Sequence, residues 1–295
     1  MCVNRIARAI ARKMPLVFAI LVVSFSTALG QKDNKQQPAG PLITRTTTRH
    51  ENYRIGFGGT VTIVGAPAGS ISIEGWQKNE IDISATIELQ GPNAAAIDQL
   101  AVLNTFAVDV DVNHIRILTS GTHDREFMKH AAKNFPKTLI GLPWKLDFQI
   151  KMPALSDLEI DAGAGPISLT GVEGALRLNA MKSDANLTLT GGLVSVLVQS
   201  GSINLIIPAR SWHGLGAEWR LASGNLNIEL MSGFSADINA DVLHAGQIQS
   251  SIPELHPIEG SSVSQHSLRA RVANGGATLN FTVGDGNIVI KQAGQ

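Results

Sequence analysis

The residue types that most often bind metal ions are concentrated between positions 114 and 130. His114, His123 and His130 occur there with Asp124 and Glu126. Imidazole and carboxylate groups bind zinc, and His123 and His130 are seven residues apart, so one face of a helix could carry both. No pair among them has the spacing of a recognised zinc motif. We therefore interpret them as solvated polar side chains and predict no metal site and no cofactor.

Carboxylates recur at short spacing in two other segments. Asp109 and Asp111 form the first set, and Asp237 and Asp241 flank Asn239 in the second. Alternate residues of a strand share a face, so these sets could bind calcium or act as the paired acids of a glycosidase. The solvent face of an amphipathic strand explains the same pattern and is favoured. The glycine-rich nonapeptide of calcium-binding β-rolls is missing from the sequence.

A third candidate is the segment from Ser211 to Trp219, which contains Trp212, His213 and Trp219. Exposed tryptophans on a loop can stack on sugar rings or on the surface of a partner. Alternatively, the two indoles cover the flank of the fold or fill a wide part of its interior. Trp212, His213 and Trp219 are kept as a hypothetical recognition loop.

Sequence motifs of known catalytic and nucleotide-binding sites are missing. The chain has no Gly-x-Ser-x-Gly, His-Glu-x-x-His or P-loop pattern and no complete dinucleotide fingerprint. We predict no catalytic or cofactor-binding residues and a protein that is not an enzyme. A polysaccharide-acting site on a β-helix stays open by analogy between folds.

The composition is typical of a folded chain that does not bind nucleic acid. The 295 residues are 44% hydrophobic, with 24 basic and 24 acidic side chains. This hydrophobicity argues against disorder, and the lack of a basic excess argues against nucleic-acid binding. The single cysteine, Cys2, excludes a disulfide scaffold and a multi-cysteine zinc site.

Residues 1–30 have the pattern of a secretory signal peptide. Four basic residues precede an apolar run at 14–29, which ends in small residues. The run is shorter than the roughly 18 residues of a membrane span, although an uncleaved anchor remains an alternative. Cleavage after Gly30, or after Ala28, would leave an exported chain without cysteine and without a membrane span. The polar segment 31–49 is predicted to be a flexible leader.

The body of the chain is predicted to consist of β-strands. Apolar and polar residues alternate at 81–89 and 146–152, which is typical of strands with one buried face. Helical patterns occur at Asn93–Asn104 and, more weakly, at Asp124–Asn134.

Short strands recur about every 20 residues in the second half, with a second strand near each half-period. The anchors of this repeat are Ile167, Leu187, Ile203, Leu226, Ile248, Leu268 and Ile288. The period favours a parallel β-solenoid, in which stacked coils make one continuous core. A β-sandwich is the alternative and would need hairpin turns. Asp285-Gly286 indicates one such hairpin.

Several segments occur in an order that matches a known family. They are Gly69–Trp76 with Glu80–Ile83, Lys151–Pro153 with Leu158–Ile160 and Gly165–Gly174, Ser200–Asn204, Ser223–Asn227, and Gly284–Ile288. Over about Tyr53–Lys291 the chain resembles the DUF4097 family, bacterial β-strand-repeat proteins described as adhesins. Gly121–Leu142 departs from the pattern. The resemblance implies export and a parallel β-helix-like fold, and it supplies no catalytic residues.

These observations predict a four-part chain. After the signal peptide (1–30) and the leader (31–49) come an N-terminal β region with a short helix and an insertion (53–152) and a β-solenoid repeat region (153–295). We expect a non-enzymatic adhesin or surface-recognition module in the periplasm, on the cell surface or secreted. A periplasmic envelope accessory protein with a signalling partner is an alternative, and a polysaccharide-acting enzyme is a second one. A glycan or an envelope protein is the expected type of partner.

Overall fold

The computed structural model describes residues 40–131, 134–253, 255–258 and 264–293. The strands in these ranges are β1 (Ile43–Arg54), β2 (Thr60–Val64), β3 (Ile71–Trp76), β4 (Glu80–Gly91), β5 (Thr105–Asp111), β6 (His114–Ser120), β7 (Trp144–Pro153), β8 (Asp157–Ala164), β9 (Ile167–Thr170), β10 (Leu176–Thr188), β11 (Gly191–Ile207), β12 (His213–Leu230), β13 (Ala236–Val242), β14 (Ile248–Ser250), β15 (Leu255–Pro257), β16 (Ser267–Val272), β17 (Thr278–Asp285) and β18 (Ile288–Gln292). The helices are α1 (Ala94–Leu103), α2 (Arg125–Ala131) and a 3₁₀ turn at Lys137–Leu139. All of these strands belong to one mixed sheet, which confirms the all-β class.

Parallel pairing stacks most strands into two walls. Wall A runs in the order β6, β2, β8, then the first halves of β10, β11 and β12, then β17 and β13. Wall B runs in the order β7, β3, β9, then the second halves of β10, β11 and β12, then β18 and β14. We call one wall-A strand together with its wall-B neighbour a layer. The buried residues of both walls form one core cluster.

Most of the predicted repeat anchors occupy equivalent positions in wall B. Ile167 and Ile203 both align with Ala185 of β10, Leu226 pairs with Ile203, and Ile288 pairs with Leu226. Each of these side chains is buried. The repeat in the sequence therefore marks the row of side chains that fills the core.

Three details of the predicted repeat are wrong. Ala185, and not Leu187, pairs with Ile167. The chain from one anchor to the next is therefore two residues shorter here than the predicted repeat implied. Leu268 lies in β16, which pairs antiparallel with β13 and is not a coil strand. Asp285-Gly286 does not form a hairpin, because β17 and β18 pair with the two halves of β12 and not with each other.

The start of the described chain corrects the predicted leader. Residues 43–49 are the first half of β1, which pairs antiparallel with β4 along its whole length. An isoleucine and several threonines there are β-branched and favour extended backbone. The predicted signal peptide, 1–30, and residues 31–39 lie outside the described residues.

The helix predicted at Asn93–Asn104 is confirmed as α1. The Asn93 side chain accepts a hydrogen bond from the Ala96 N–H at 2.9 Å, which is a standard way to begin a helix. The second predicted helix is the shorter α2. In the part of the chain that the structure describes, no helix is long and apolar enough to cross a membrane.

Antiparallel strands close both ends of the stack. At the first end β5 follows β6 in wall A, whereas β4 and then β1 follow β7 in wall B. α1 lies at this end and buries Ile97 and Leu100 in the core. At the second end β16 and β15 follow β13.

Candidate functional site

Wall A turns into wall B at a column of small residues. Gly201 and Gly224 have φ angles of +127° and +137°, a range that favours glycine. A Cβ on Gly224 would lie 1.7 Å from the carbonyl oxygen of Gly201. Ser183 holds the same position in β10. Its side chain is buried, and its hydroxyl has no hydrogen-bond partner among the described residues.

A cavity of about 420 Å³ opens on the wall-A side of this corner. We call it the corner groove and define it by side chains from β8, β10, β11 and the segment before α2. These are Asp161, Asn179, Met181, Leu197, Gln199 and His123. Pockets of this volume hold small ligands in many proteins.

The strand register brings the groove residues together. Asp161, Asn179 and Leu197 form one row across β8, β10 and β11, and neighbouring strands are about 4.8 Å apart. Asn179 donates a hydrogen bond from Nδ2 to Oδ1 of Asp161 at 2.8 Å. Met181 and Gln199 come two residues later on their strands, so they point to the same side.

The groove combines apolar and polar side chains at the surface. Met181 is 62% exposed and Leu197 is 41% exposed, although both occupy outward positions that usually hold polar residues. Asp161, Asn179 and Gln199 surround them with one carboxylate and two amides. The arrangement offers an apolar contact surface together with hydrogen-bond donors and acceptors.

His123 lines the groove from the segment before α2. Its outer edge is exposed, but its ring packs against Trp144 with 5.4 Å between the ring centroids. The desolvation that this packing brings lowers the pKa of His123 below 6.5, and the charge of Asp124 only partly opposes it. Burial therefore favours the neutral form of the ring.

The lowered pKa of His123 predicts a pH dependence of stability. The unfolded chain binds a proton at this residue at higher pH than the folded chain does, so the free energy of unfolding falls as the pH drops below 6.5. We expect His123→Gln to show a smaller fall in melting temperature than the wild type between neutral and mildly acidic pH. Identical pH profiles for the two proteins would contradict this assignment.

The other residues considered as candidate metal ligands are dispersed. The His114 ring nitrogen Nε2 is 2.9 Å from the Thr62 hydroxyl on the neighbouring strand. His130 is exposed on α2, with Glu126 on the same helix. Within the described ranges, no three histidine, cysteine or acidic side chains are grouped so as to hold a metal ion.

The two carboxylate sets of the sequence lie on β5 and β13. Most of these carboxylates form ion pairs with arginines. Asp111 instead accepts a hydrogen bond from the Val112 N–H at 2.7 Å. The shortest N–O distances in the ion pairs are 2.6 Å for Asp109–Arg116, 2.8 Å for Asp237–Arg271 and 2.7 Å for Asp241–Arg269. Each of these arginines lies on the neighbouring antiparallel strand. These contacts agree with the strand-face interpretation of the pattern.

The hypothesis of an exposed recognition loop is wrong for Trp212 and Trp219, which are both buried. Trp219 lies on β12 in a buried row with Val196 and Phe281, and Trp212 is also buried. The two indoles meet edge to face with centroids 5.6 Å apart, and Trp219 stacks on Phe281 at 4.9 Å. Both fill the interior, as the alternative interpretation allowed. His213 is exposed at the start of β12, and a recognition role for it stays a prediction.

Comparison with solved structures finds similar chains. A “putative cell adhesion protein” from Clostridium sporogenes is 15% identical, with a TM-score of 0.44, over 83% of this chain and 100% of its own. A “putative adhesin” from Bacteroides fragilis is 14% identical, with a TM-score of 0.31, over 87% and 99%. A “putative lipid binding protein” from Parabacteroides distasonis is 13% identical, with a TM-score of 0.25, over 83% and 96%.

No family model and no curated protein matches the chain. At the identities and scores of these solved structures, the similarities do not decide fold or function.

Proposed function

We propose that this protein is an exported, non-enzymatic recognition module of the adhesin type. Its fold is a parallel β-solenoid related to the DUF4097 family, and it binds a carbohydrate in the corner groove. Export is supported by the signal-peptide pattern of residues 1–30. The solenoid is supported by the parallel register of β8, β10, β11 and β12.

The observation that carries the proposal is the composition of the corner groove. Met181 and Leu197 expose apolar surface beside Asp161, Asn179 and Gln199 in one cavity of about 420 Å³. A binding pocket typically joins an apolar surface to a few polar groups that fix the orientation of its ligand.

Carbohydrates match this combination of groups. The C–H face of a sugar ring is apolar and can pack on Met181 and Leu197. Its hydroxyls donate and accept hydrogen bonds, which a carboxylate and amides can complement. Neutral His123 adds a further donor or acceptor at the side of the groove.

The number of carboxylates in the corner groove favours a binding role over catalysis. Asp161 accepts a hydrogen bond from Asn179 through Oδ1. It is the one carboxylate among the side chains that define the groove. Glycosidases generally use two acidic groups on opposite sides of the scissile bond. The groove offers one, which suits recognition without hydrolysis.

The test is a glycan array followed by calorimetry on the glycans that bind. We expect Leu197→Asp to weaken binding at least about 10-fold, or about 1.4 kcal/mol, because it places a charge in the apolar part of the groove. Leu193→Asp is the matched control. Leu193 lies on the same strand and face, is 69% exposed and is outside the groove.

The control defines the outcomes. Loss of binding in Leu197→Asp with retention in Leu193→Asp supports the groove as the site. Equal affinities in all three proteins, or no glycan bound above background, would contradict the proposal.

A further inference from the structure

The strand β1 is an edge of the sheet that has no partner on its outer side within the described ranges. It pairs with β4 alone, through twelve residues from Ile43 to Arg54. At this end of the molecule wall B has two strands beyond β7, whereas wall A has one beyond β6. β1 therefore lies one strand beyond β5, the last strand of wall A at this end. Unpaired backbone N–H and C=O groups on such an edge are a template for another strand.

The sequence of β1 is complementary to itself in the antiparallel direction. When two copies are aligned with Thr48 at the centre, Ile43 faces Tyr53 and Arg45 faces Glu51 of the other copy. Both contacts occur twice, because a two-fold axis relates the copies. Opposite charges and apolar groups directly across from one another stabilise a strand pair.

Neighbouring registers lack this complementarity. Two-fold symmetry keeps the two faces of the sheet aligned, so an allowed register places one residue of β1 opposite its own copy. Centring on Thr47 sets Arg45 opposite Arg49, and centring on Arg49 sets that residue opposite itself. Like charges directly opposite each other are destabilising. Thr48 is thus favoured over its immediate neighbours as the centre.

We propose that two copies of this chain associate through β1, in the antiparallel register centred on Thr48. The strands β4 and β1 of both copies then form one continuous sheet. Most of the stabilisation comes from new backbone hydrogen bonds along the two edges, because exposed ion pairs contribute little by themselves. The charges favour this register over the two adjacent ones.

The charged groups on β1 are placed for this contact. Arg45 now pairs with Asp98 of α1, and both side chains are partly exposed. Glu51 is held by Arg49 and by the Tyr53 hydroxyl, which donates to Oε2 at 2.5 Å. Arg45 can exchange its exposed intramolecular pair for one with Glu51 of the second copy, while Glu51, which is only 20% exposed, keeps its contacts with Arg49 and Tyr53.

Cysteine cross-linking tests the register directly. In the full chain with Cys2→Ser, Thr48→Cys places each new thiol opposite its own copy, where the Cβ atoms of a strand pair are close enough for a disulfide. Thr44→Cys is the matched control, because Thr44 is exposed on the same face but, in the proposed register, lies opposite Asn52 of the second copy and not opposite itself. We expect mild oxidation to give a covalent dimer for Thr48→Cys and to leave Thr44→Cys without a cross-link.

Charge reversal gives a second measurement on the reduced protein. Analytical ultracentrifugation should show a dimer for the wild type, a weaker dimer for Arg45→Glu, in which glutamates face each other twice, and recovery for Arg45→Glu with Glu51→Arg. Circular dichroism shows whether each variant is folded, and recovery in the double variant excludes a general folding defect. A monomeric wild type at all concentrations, or equal cross-linking at positions 44 and 48, would overturn the proposal. The result does not depend on the ligand of the corner groove.

Discussion

Replacing Trp219 with alanine is expected to lower the free energy of unfolding by about 3–5 kcal/mol. The Trp219 side chain is 0% exposed. It stacks on Phe281 and meets Trp212 edge to face, so its loss leaves a cavity where three large rings now touch. The core around it is held by strands on both sides and can collapse only partly into that space. Urea unfolding followed by fluorescence or circular dichroism measures the change.

Trp219→Phe is the matched control for this prediction. Phenylalanine keeps most of the ring contact with Phe281 and removes a buried indole N–H that has no hydrogen-bond partner among the described residues. An unsatisfied buried donor is itself destabilising by about 1–3 kcal/mol. We expect a much smaller loss than in Trp219→Ala and unchanged ligand binding. A loss of binding in a stable Trp219→Phe variant would restore the recognition role that the sequence suggested.

The second large effect is expected at the corner, where Gly224→Ala should cost about 3 kcal/mol or more. Alanine is strained at a φ of +137°, and its Cβ would overlap the carbonyl oxygen of Gly201. The overlap is with backbone, so no side-chain rotation relieves it. The strands of two layers would have to separate, and chemical unfolding would report this as a lower midpoint.

The control variant Gly58→Ala distinguishes the energetic cost of backbone strain from the cost of steric overlap. Gly58 also has a positive φ, +67°, but no atom lies within 4 Å of the position of its Cβ. We expect this variant to lose only about 1–2 kcal/mol, the cost of a left-handed residue that is not glycine. If Gly224→Ala lost no more than Gly58→Ala, close packing at the corner would not be what holds the layers together.

Much of the fold follows from local sequence patterns. Alternating apolar residues predicted the strands because burial on one face of a sheet requires that period. The alanine-rich apolar pattern from Asn93 to Asn104 predicted α1 in the same way. The order of the layers could not be predicted in the same way. β2 and β3 lie between layers whose strands come later in the chain, and such pairing depends on long-range contacts.

The candidate site was harder to predict than the strands. Leu197 and Met181 occupy outward positions of their strands. The sequence signal for the groove is therefore limited to apolar residues at positions where an alternating pattern usually has polar ones. Which of them meet depends on the register of β8, β10 and β11, which no local motif encodes. Trp212 and Trp219 have the residue type of a recognition loop, but Trp219 lies on β12, and both indoles are buried in the core.

The proposed adhesin-type recognition requires that the protein be exposed on intact cells, and protease digestion of intact cells that produce it tests this requirement most directly. Immunoblotting before and after permeabilisation of the outer membrane gives the two states to compare. The account predicts that the protein is digested in intact cells, because an adhesin must reach its ligand from outside. Protection until the membrane is permeabilised would contradict it and place the protein in the periplasm.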